Sequence, residues 1–165
     1  MLYGYLDASA LAKRYVIEPG TTVVNHLFHR MTQDRMIIQA VRLAEVASIL
    51  VRKRNAGRLT AAQFIHILSD CRDEIGIASP VRIIGVTDDL ADRSIDFIDR
   101  YSVNSTDAII LRSALDIAAP LQAAGDDLLL VSCNQRLLKA AKAEGIITFD
   151  PEAQSTADLD ALLGP

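Results

Sequence analysis

Four oxygen-bearing side chains stand where short apolar runs give way to something else: Asp7, Glu45, Asp107 and Asn134. Three are carboxylates. Gathered carboxylates repel one another, so a fold that brings them together needs a cation to offset the repulsion. Hard oxygen ligands of this type suit Mg²⁺ or Mn²⁺. A bound Mg²⁺ lowers the pKa of a water and neutralises charge on a phosphoryl oxygen. No other nucleophile is placed nearby. His26, His29 and His66 fall in the middle of helical patterns and read as surface or packing residues. Cys71 and Cys133 have no metal-type spacing and read as reduced thiols. The nucleophile left for such a site is water. Each of the four residues also has an ordinary structural role open to it. Asp7 and Asn134 suit helix N-caps, Asp107 suits the first turn of a helix, and Glu45 suits a surface pair with Arg42.

The elements that must position them follow from hydrophobic patterning. Strands are expected over 2–6, 36–39, 81–86, 128–132 and 146–149, short and mostly apolar throughout. Such runs suit strands buried on both faces of a parallel sheet. Helices are expected over 8–16, 21–31, 41–55, from Thr60 as cap to 75, and over 88–101, 105–118 and 135–144. Gly57 suits the end of the third of these. Strand–helix alternation of this kind predicts a parallel sheet with helices on both faces. In such sheets ligands collect at the carboxyl ends of the strands, where Asp7 and Asn134 stand and where Glu45 and Asp107 open helices.

The bulk numbers bound the rest. A chain of 165 residues, half of them hydrophobic, predicts one domain over 1–165 with a core that needs no disulfide. A net charge of −4 and a pI near 5.3 exclude a protein that wraps nucleic acid by bulk electrostatics. A polyanionic substrate would have to be held by local arginines and a bound cation. The N-terminus lacks a basic signal-peptide region, and no apolar run approaches a membrane span, so a cytoplasmic location without membrane attachment is expected.

Four stretches together resemble the PIN-domain ribonucleases, and among them the VapC-type toxins. Tyr5-Leu6-Asp7-Ala8-Ser9-Ala10-Leu11-Ala12-Lys13 is similar to the family's opening strand and first acid. Leu43-Ala44-Glu45-Val46 is similar to its glutamate helix, and Ser105-Thr106-Asp107-Ala108-Ile109 to its third acidic motif. Leu130-Val131-Ser132-Cys133-Asn134-Gln135-Arg136-Leu137-Leu138 is similar to its last strand–helix junction. The ordered set spans nearly the whole chain. The resemblance implies a three-layer α/β/α sandwich around a parallel sheet. It implies a Mg²⁺- or Mn²⁺-dependent endoribonuclease, frequent homodimers, and a small antitoxin that blocks the site. Asp7, Glu45 and Asp107 would be metal ligands, with Ser9, Thr106 and Ser132 orienting carboxylates or waters.

One position departs from the family, which usually has an acid where this chain has Asn134. An amide oxygen accepts hydrogen bonds but brings no charge, so metal affinity should fall. Asp127 starts the same strand seven residues earlier and points to the opposite edge, while Asp150 reads as a turn residue before Pro151. RNA phosphates need cations, and Lys13, Arg14, Arg112, Arg136 and Lys139 lie on the helices that begin at the acidic edge. The run Arg52-Lys53-Arg54 reads as a solvated helix end. The apolar stretches around Leu27-Phe28 and Phe64 to Leu68 are either core or the seat of an antitoxin. A haloacid-dehalogenase-type phosphatase would need a second aspartate where Ser9 stands. A response-regulator receiver would need acids in place of Tyr5 and Leu6, and no P-loop segment exists. The surviving alternative is a PIN fold that has weakened or lost catalysis and serves in binding.

Overall fold

The five apolar runs form five parallel strands. The computed structural model describes residues 1–76 and 78–164. Strands β1 (Leu2–Leu6), β2 (Met36–Gln39), β3 (Arg82–Ile84), β4 (Asp127–Val131) and β5 (Ile147–Phe149) lie in one sheet in the order β3-β2-β1-β4-β5. All four pairings are parallel; Gly4 stands opposite Met36 on one side and Leu129 on the other. Among the described residues, eight helices connect and cover the strands: α1 (Ala8–Leu11), α2 (Thr21–Arg30), α3 (Arg42–Asn55), α4 (Ala61–Ile75), α5 (Asp88–Tyr101), α6 (Ser105–Ala123), α7 (Gln135–Ala143) and α8 (Thr156–Leu163).

Side chains alternate across a strand, and here both faces are apolar. Leu2, Leu6, Met36, Ile38, Leu129 and Val131 pack with Leu11, Leu27, Leu50, Ile75 and Leu159, so α1–α4 and α8 cover one face. Tyr5, Ile37, Leu128 and Leu130 pack on the other face with Phe97, Leu111, Ile117 and Leu137 of α5–α7. This is the parallel sheet with helices on both faces that the patterning predicts, and the three-layer α/β/α sandwich that the resemblance implies. A buried hydrogen bond of 2.6 Å between the Tyr5 and Ser113 hydroxyls ties the central strand to α6.

Local details differ from the sequence reading for identifiable reasons. The first helix stops at Leu11 and continues as a 3-10 turn over Ala12–Arg14 rather than running to Val16. Strand β3, at the sheet edge with one partner, spans three residues instead of six. Helix α6 continues past Pro120 to Ala123, five residues beyond its expected end. A proline removes one helical hydrogen bond, and the apolar packing of Ala118 and Leu121 holds the last turn against that loss. The final helix, α8, is absent from the patterning. Its capping box, Ser155 with Asp158, precedes a short apolar run with only Leu159 fully buried, a weak sequence signal. Thr60 caps α4 as expected, through a reciprocal pair with Gln63, and Gly57 follows α3 with a φ of 72°.

The strand order reverses at β1, whose neighbours β2 and β4 lead away in opposite directions. Beyond the carboxyl ends of β1 and β4 the connections leave for opposite faces and open a crevice, the usual ligand position in sheets of this kind. Asp7 ends β1 at that point. Ser132, Cys133 and Asn134 follow β4 there.

Candidate active site

The crevice is a cavity of about 380 Å³ lined by Asp7, Ser9, Arg42, Glu45, Ser48, Ile49, Arg52, Asp107 and Asn134, together with Ala8. The four residues singled out by type and spacing thus meet in one place. Their ordinary structural roles hold at the same time. Asp7 caps α1 and Asn134 caps α7, accepting from the amides of Arg136 and Leu137. Asp107 sits in the first turn of α6, its own amide donating to the capping Asn104 at 2.8 Å. Glu45 pairs with Arg42. Caps and first-turn acids lie at helix N-termini, and four helices start at this edge, so cap chemistry and site chemistry fall on the same residues.

Both oxygens of Asp7 are engaged. Oδ2 accepts from the Ser9 hydroxyl at 2.6 Å and from the Ser132 hydroxyl at 2.9 Å. Oδ1 accepts from the Arg42 guanidinium at 2.7 Å. Ser9 and Ser132 are themselves held, accepting from the amides of Cys133 and Asn134 at 2.9 and 3.0 Å. Asp107 Oδ2 accepts from the Asn134 side-chain amide at 2.7 Å. Thr106 lines a neighbouring groove with Gln39, Val41, Glu45, Val86 and Ile109. Among the described residues its hydroxyl bonds to none of the acids.

Arg42 is the feature that reading the acids alone misses. Its place as the first residue of α3 suggests only a surface partner for Glu45, yet it is 1% exposed. The same Nη1 that meets Asp7 also pairs with Glu45, and Nη2 donates to Gln39 Oε1 at 3.1 Å. The spacing to Glu45 is the available sequence signal: residues three apart on a helix share a face, so an arginine there reaches whatever the glutamate reaches.

Electrostatics follow from this crowding. Burial raises the Glu45 carboxyl above its usual range; Asp7 and Asp107 push the same way, and Arg42 opposes them. Burial and the Asp7 charge likewise raise Asp107, against the hydrogen bond from Asn134. Cys133 lies beside the cavity, but burial pushes its thiol up to about 12, so it offers no thiolate. Cys71 is buried and free, as expected of a reduced thiol.

The donor chemistry fits a hard divalent cation: three carboxylates and two hydroxyls at one cavity, with Glu45 Oε2 buried and without a well-directed hydrogen bond. The arrangement is not a ready-made shell. Among the described residues no three acidic, histidine or cysteine side chains come together as a metal site. In this arrangement the Arg42 guanidinium stands between two of the three carboxylates, Asp7 and Glu45.

The expected phosphate-binding cations separate into two groups. Lys13 is buried between Glu18 and Glu152, and Arg14 bonds Glu74 and Asn25 and lies over the Phe28 ring. Arg112 pairs with Asp116, which also binds Arg93. These three are structural, each fixed by an acid the sequence places far away or on its own helix. Arg136 and Lys139 are exposed and, among the described residues, make no ion pair. They line a second concavity of about 430 Å³ with Arg100, Tyr101 and Ser102. Arg52, read as part of a solvated helix end, lines the acidic cavity instead; it lies seven residues after Glu45, two turns along the same face of α3. Lys53 pairs with Glu18 and Arg54 lies over the Phe64 ring.

The remaining sequence readings fall outside the cavity. His26 bonds Asp160 at 2.9 Å and His66 pairs with Asp70, so both histidines serve helix surfaces. Asp150 is a loop residue after β5, accepting from Gln135 and from the amide of Glu152, and Asp127 begins β4 at the far edge. Leu27 is core, and Phe28 and Phe64 pack against that core. No helix among the described residues is long and apolar enough to cross a membrane.

No protein-family model matches the chain, and no curated protein matches it. Solved structures do. FitAcB from Neisseria gonorrhoeae superimposes with a TM-score of 0.61 at 13% identity, over 92% of this chain and 98% of that one. The Mycobacterium tuberculosis VapC20 structure, described as a sarcin-ricin loop cleaving toxin, superimposes with a TM-score of 0.57 at 14% identity, over 87% and 96%. A toxin–antitoxin complex from Klebsiella pneumoniae gives 0.51 at 17% identity, over 90% and 97%. Identities this low speak for architecture. The chain has the PIN-like α/β/α fold, shared along nearly its whole length with structures that include a toxin and a toxin–antitoxin complex.

Proposed function

We propose that this protein is a metal-activated endoribonuclease that acts as the toxin of a toxin–antitoxin pair. The observation that carries the reading is the meeting of Asp7, Glu45 and Asp107 in one cavity at the strand-order reversal of a PIN-like sheet. These carboxylates would hold Mg²⁺ or Mn²⁺. When bound, the cation supplies charge neutralisation on a phosphoryl oxygen and acidifies a water. The chain's own groups do the remaining work. Ser9 and Ser132 fix the Asp7 carboxylate, and the Asn134 amide fixes Asp107. Arg52 offers a planar fork of donors to a phosphate entering the same cavity. Asn134 lines the acidic cavity and Arg136, two residues on, begins the basic concavity, which runs along α7 to Ala143. There Arg136 and Lys139 suit backbone phosphates, and the Tyr101 ring suits a stacked base. An RNA strand held this way overcomes the net charge of −4 locally.

The test is incubation of the purified chain with structured and single-stranded RNA in Mg²⁺, Mn²⁺ or chelator, beside Asp7→Asn and Asp107→Asn. Cleavage that needs metal and disappears in both variants supports the reading. The antitoxin half predicts that the chain is toxic when expressed alone. Co-expression of a small neighbouring gene product, with a DNA-binding half and an apolar tail, should relieve that toxicity. A homodimer in a cytoplasmic setting completes the proposal, and a sizing column tests the first part.

A second reading has its own observation. Arg42 already neutralises part of the acid cluster, and Asn134 leaves it one charge short of the family pattern. RNA that binds without being cut at any metal concentration would favour a PIN-fold binding module.

A further inference from the structure

The acidic cavity carries its own cation. Arg42 is buried, and its positive charge is favoured by the two carboxylates it meets, with Gln39 Oε1 accepting from Nη2 and Asp107 nearby. It is the first residue of α3, and the partial charge of a helix N-terminus repels a cation. Its Nε has no hydrogen-bond partner, and the Nε2 of the neighbouring Gln39 has none. Buried donors of this kind are ordinarily satisfied, so the guanidinium is held by its charge partners rather than by a complete set of bonds.

We propose that Arg42 is a built-in counter-ion occupying the cation position between Asp7 and Glu45, so that a divalent cation binds only when the guanidinium leaves. The competition is direct. Nη1 lies 2.7 Å from Asp7 Oδ1 and pairs through the same nitrogen with Glu45. A Mg²⁺ ion takes oxygen ligands at about 2.1 Å and demands near-octahedral order, so it does not share these oxygens with a guanidinium. The two cations also repel at that separation, in surroundings where charge is poorly screened. The displaced side chain has somewhere to go, because Arg42 itself lines the 380 Å³ cavity. Asp107, whose carboxylate takes its hydrogen bond from Asn134 instead, stays in place through the exchange. The device keeps the acids neutralised in the metal-free chain and sets a threshold of metal concentration below which the site stays closed. It rests on the ribonuclease reading only for what the opened site then does.

The experiment reads metal binding, not cleavage. Mn²⁺ is titrated into the full chain, wild type, Arg42→Gln and Arg42→Lys, and free Mn²⁺ is followed by electron paramagnetic resonance. Arg42→Gln keeps a polar side chain but removes the charge, and should bind Mn²⁺ at least about tenfold more tightly than wild type. Arg42→Lys keeps the charge and should stay within about threefold of wild type. In metal-free buffer Arg42→Gln should melt below wild type, because Asp7 and Glu45 lose their counter-ion, and MnCl₂ should raise its Tm more than that of wild type. Equal Mn²⁺ midpoints for wild type and Arg42→Gln would overturn the proposal. Should Arg42→Gln fail to fold, a wild-type crystal soaked in MnCl₂ decides. Manganese on Asp7 with Arg42 swung away supports the proposal, and manganese on Asp7 with Arg42 still bonded to it overturns it. Absence of RNA cleavage would count against the ribonuclease reading and leave these outcomes unaffected.

Discussion

Asp7 and Arg42 form a buried pair, 2.7 Å apart and 5% and 1% exposed, joining the end of the central strand to the start of α3. Removing one member of such a pair leaves an uncompensated charge out of water. Asp7→Ala leaves Arg42 with Glu45 alone and should destabilise the metal-free fold, by less than the cost of a fully stranded charge, about 3–5 kcal/mol. The double variant Asp7→Ala/Arg42→Met should recover only part of that loss, since the pair is then removed together but Glu45 loses its counter-ion. Urea denaturation of the two single variants and the double variant measures the coupling. Strictly additive losses would mean that the pair does not act as a unit.

Asn134 serves two partners at once: its amide donates to Asp107 and its oxygen caps α7. Asn134→Asp keeps the cap and replaces the donor by a like charge. Without metal, this variant should melt below wild type. With metal the sign reverses, because a carboxylate near a cation gains about 1 kcal/mol in water-like surroundings and about 4 kcal/mol at an effective dielectric near 20. Repulsion among the acids offsets part of this, leaving a metal midpoint about tenfold lower. Melting curves across a Mg²⁺ series check both halves. An unchanged midpoint places residue 134 outside the metal's reach.

The Asp107 carboxyl is raised by burial and by the charge of Asp7. A carboxyl whose folded pKa lies above its unfolded value contributes stability that is fully present below the unfolded value, near pH 3.9, and lost as pH rises through the folded one. At neutral pH the ionised group thus weighs against folding. Asp107→Asn should raise the Tm of the metal-free chain by a few degrees at pH 7, with the difference closing as pH falls toward 4. The same variant should lose RNA cleavage. A lower Tm at pH 7 would contradict the prediction.

Lys13 and Arg136 are equivalent candidates for phosphate in the sequence, and the fold separates them. Lys13 is buried between Glu18 and Glu152, whereas Arg136 is exposed in the basic concavity. Lys13→Ala should cost stability and leave RNA affinity intact once the chain is folded. Arg136→Ala and Lys139→Ala should leave the stability within about 0.5 kcal/mol of wild type and weaken RNA binding. Removing one phosphate-binding side chain should reduce the slope of log K against log salt by about 0.7 for a single strand. Salt-dependent binding isotherms of the three variants make the comparison.

The sheet, its parallel sense and the edge at which chemistry collects are legible in the residues alone. Those follow from local rules: apolar runs such as Leu128 to Val131 bury on both faces, and helices must return the chain between them. Asp7, Glu45, Asp107 and Asn134 are legible for the same reason, since each sits just past a strand, at a helix N-cap or inside the first turn of a helix. The state of those acids depends on packing. Whether Arg42 faces solvent or Asp7 depends on how α3 packs beside α1, whose N-cap is Asp7, 35 residues away from Arg42 in the chain. Lys13 meets Glu152 across 139 residues and Arg14 meets Glu74 across 60, so their loss as phosphate ligands has no local signature. Ion pairing acts through space and a sequence pattern acts along the chain. The acids were therefore found from the pattern, and the cation that stands among them only from the packing.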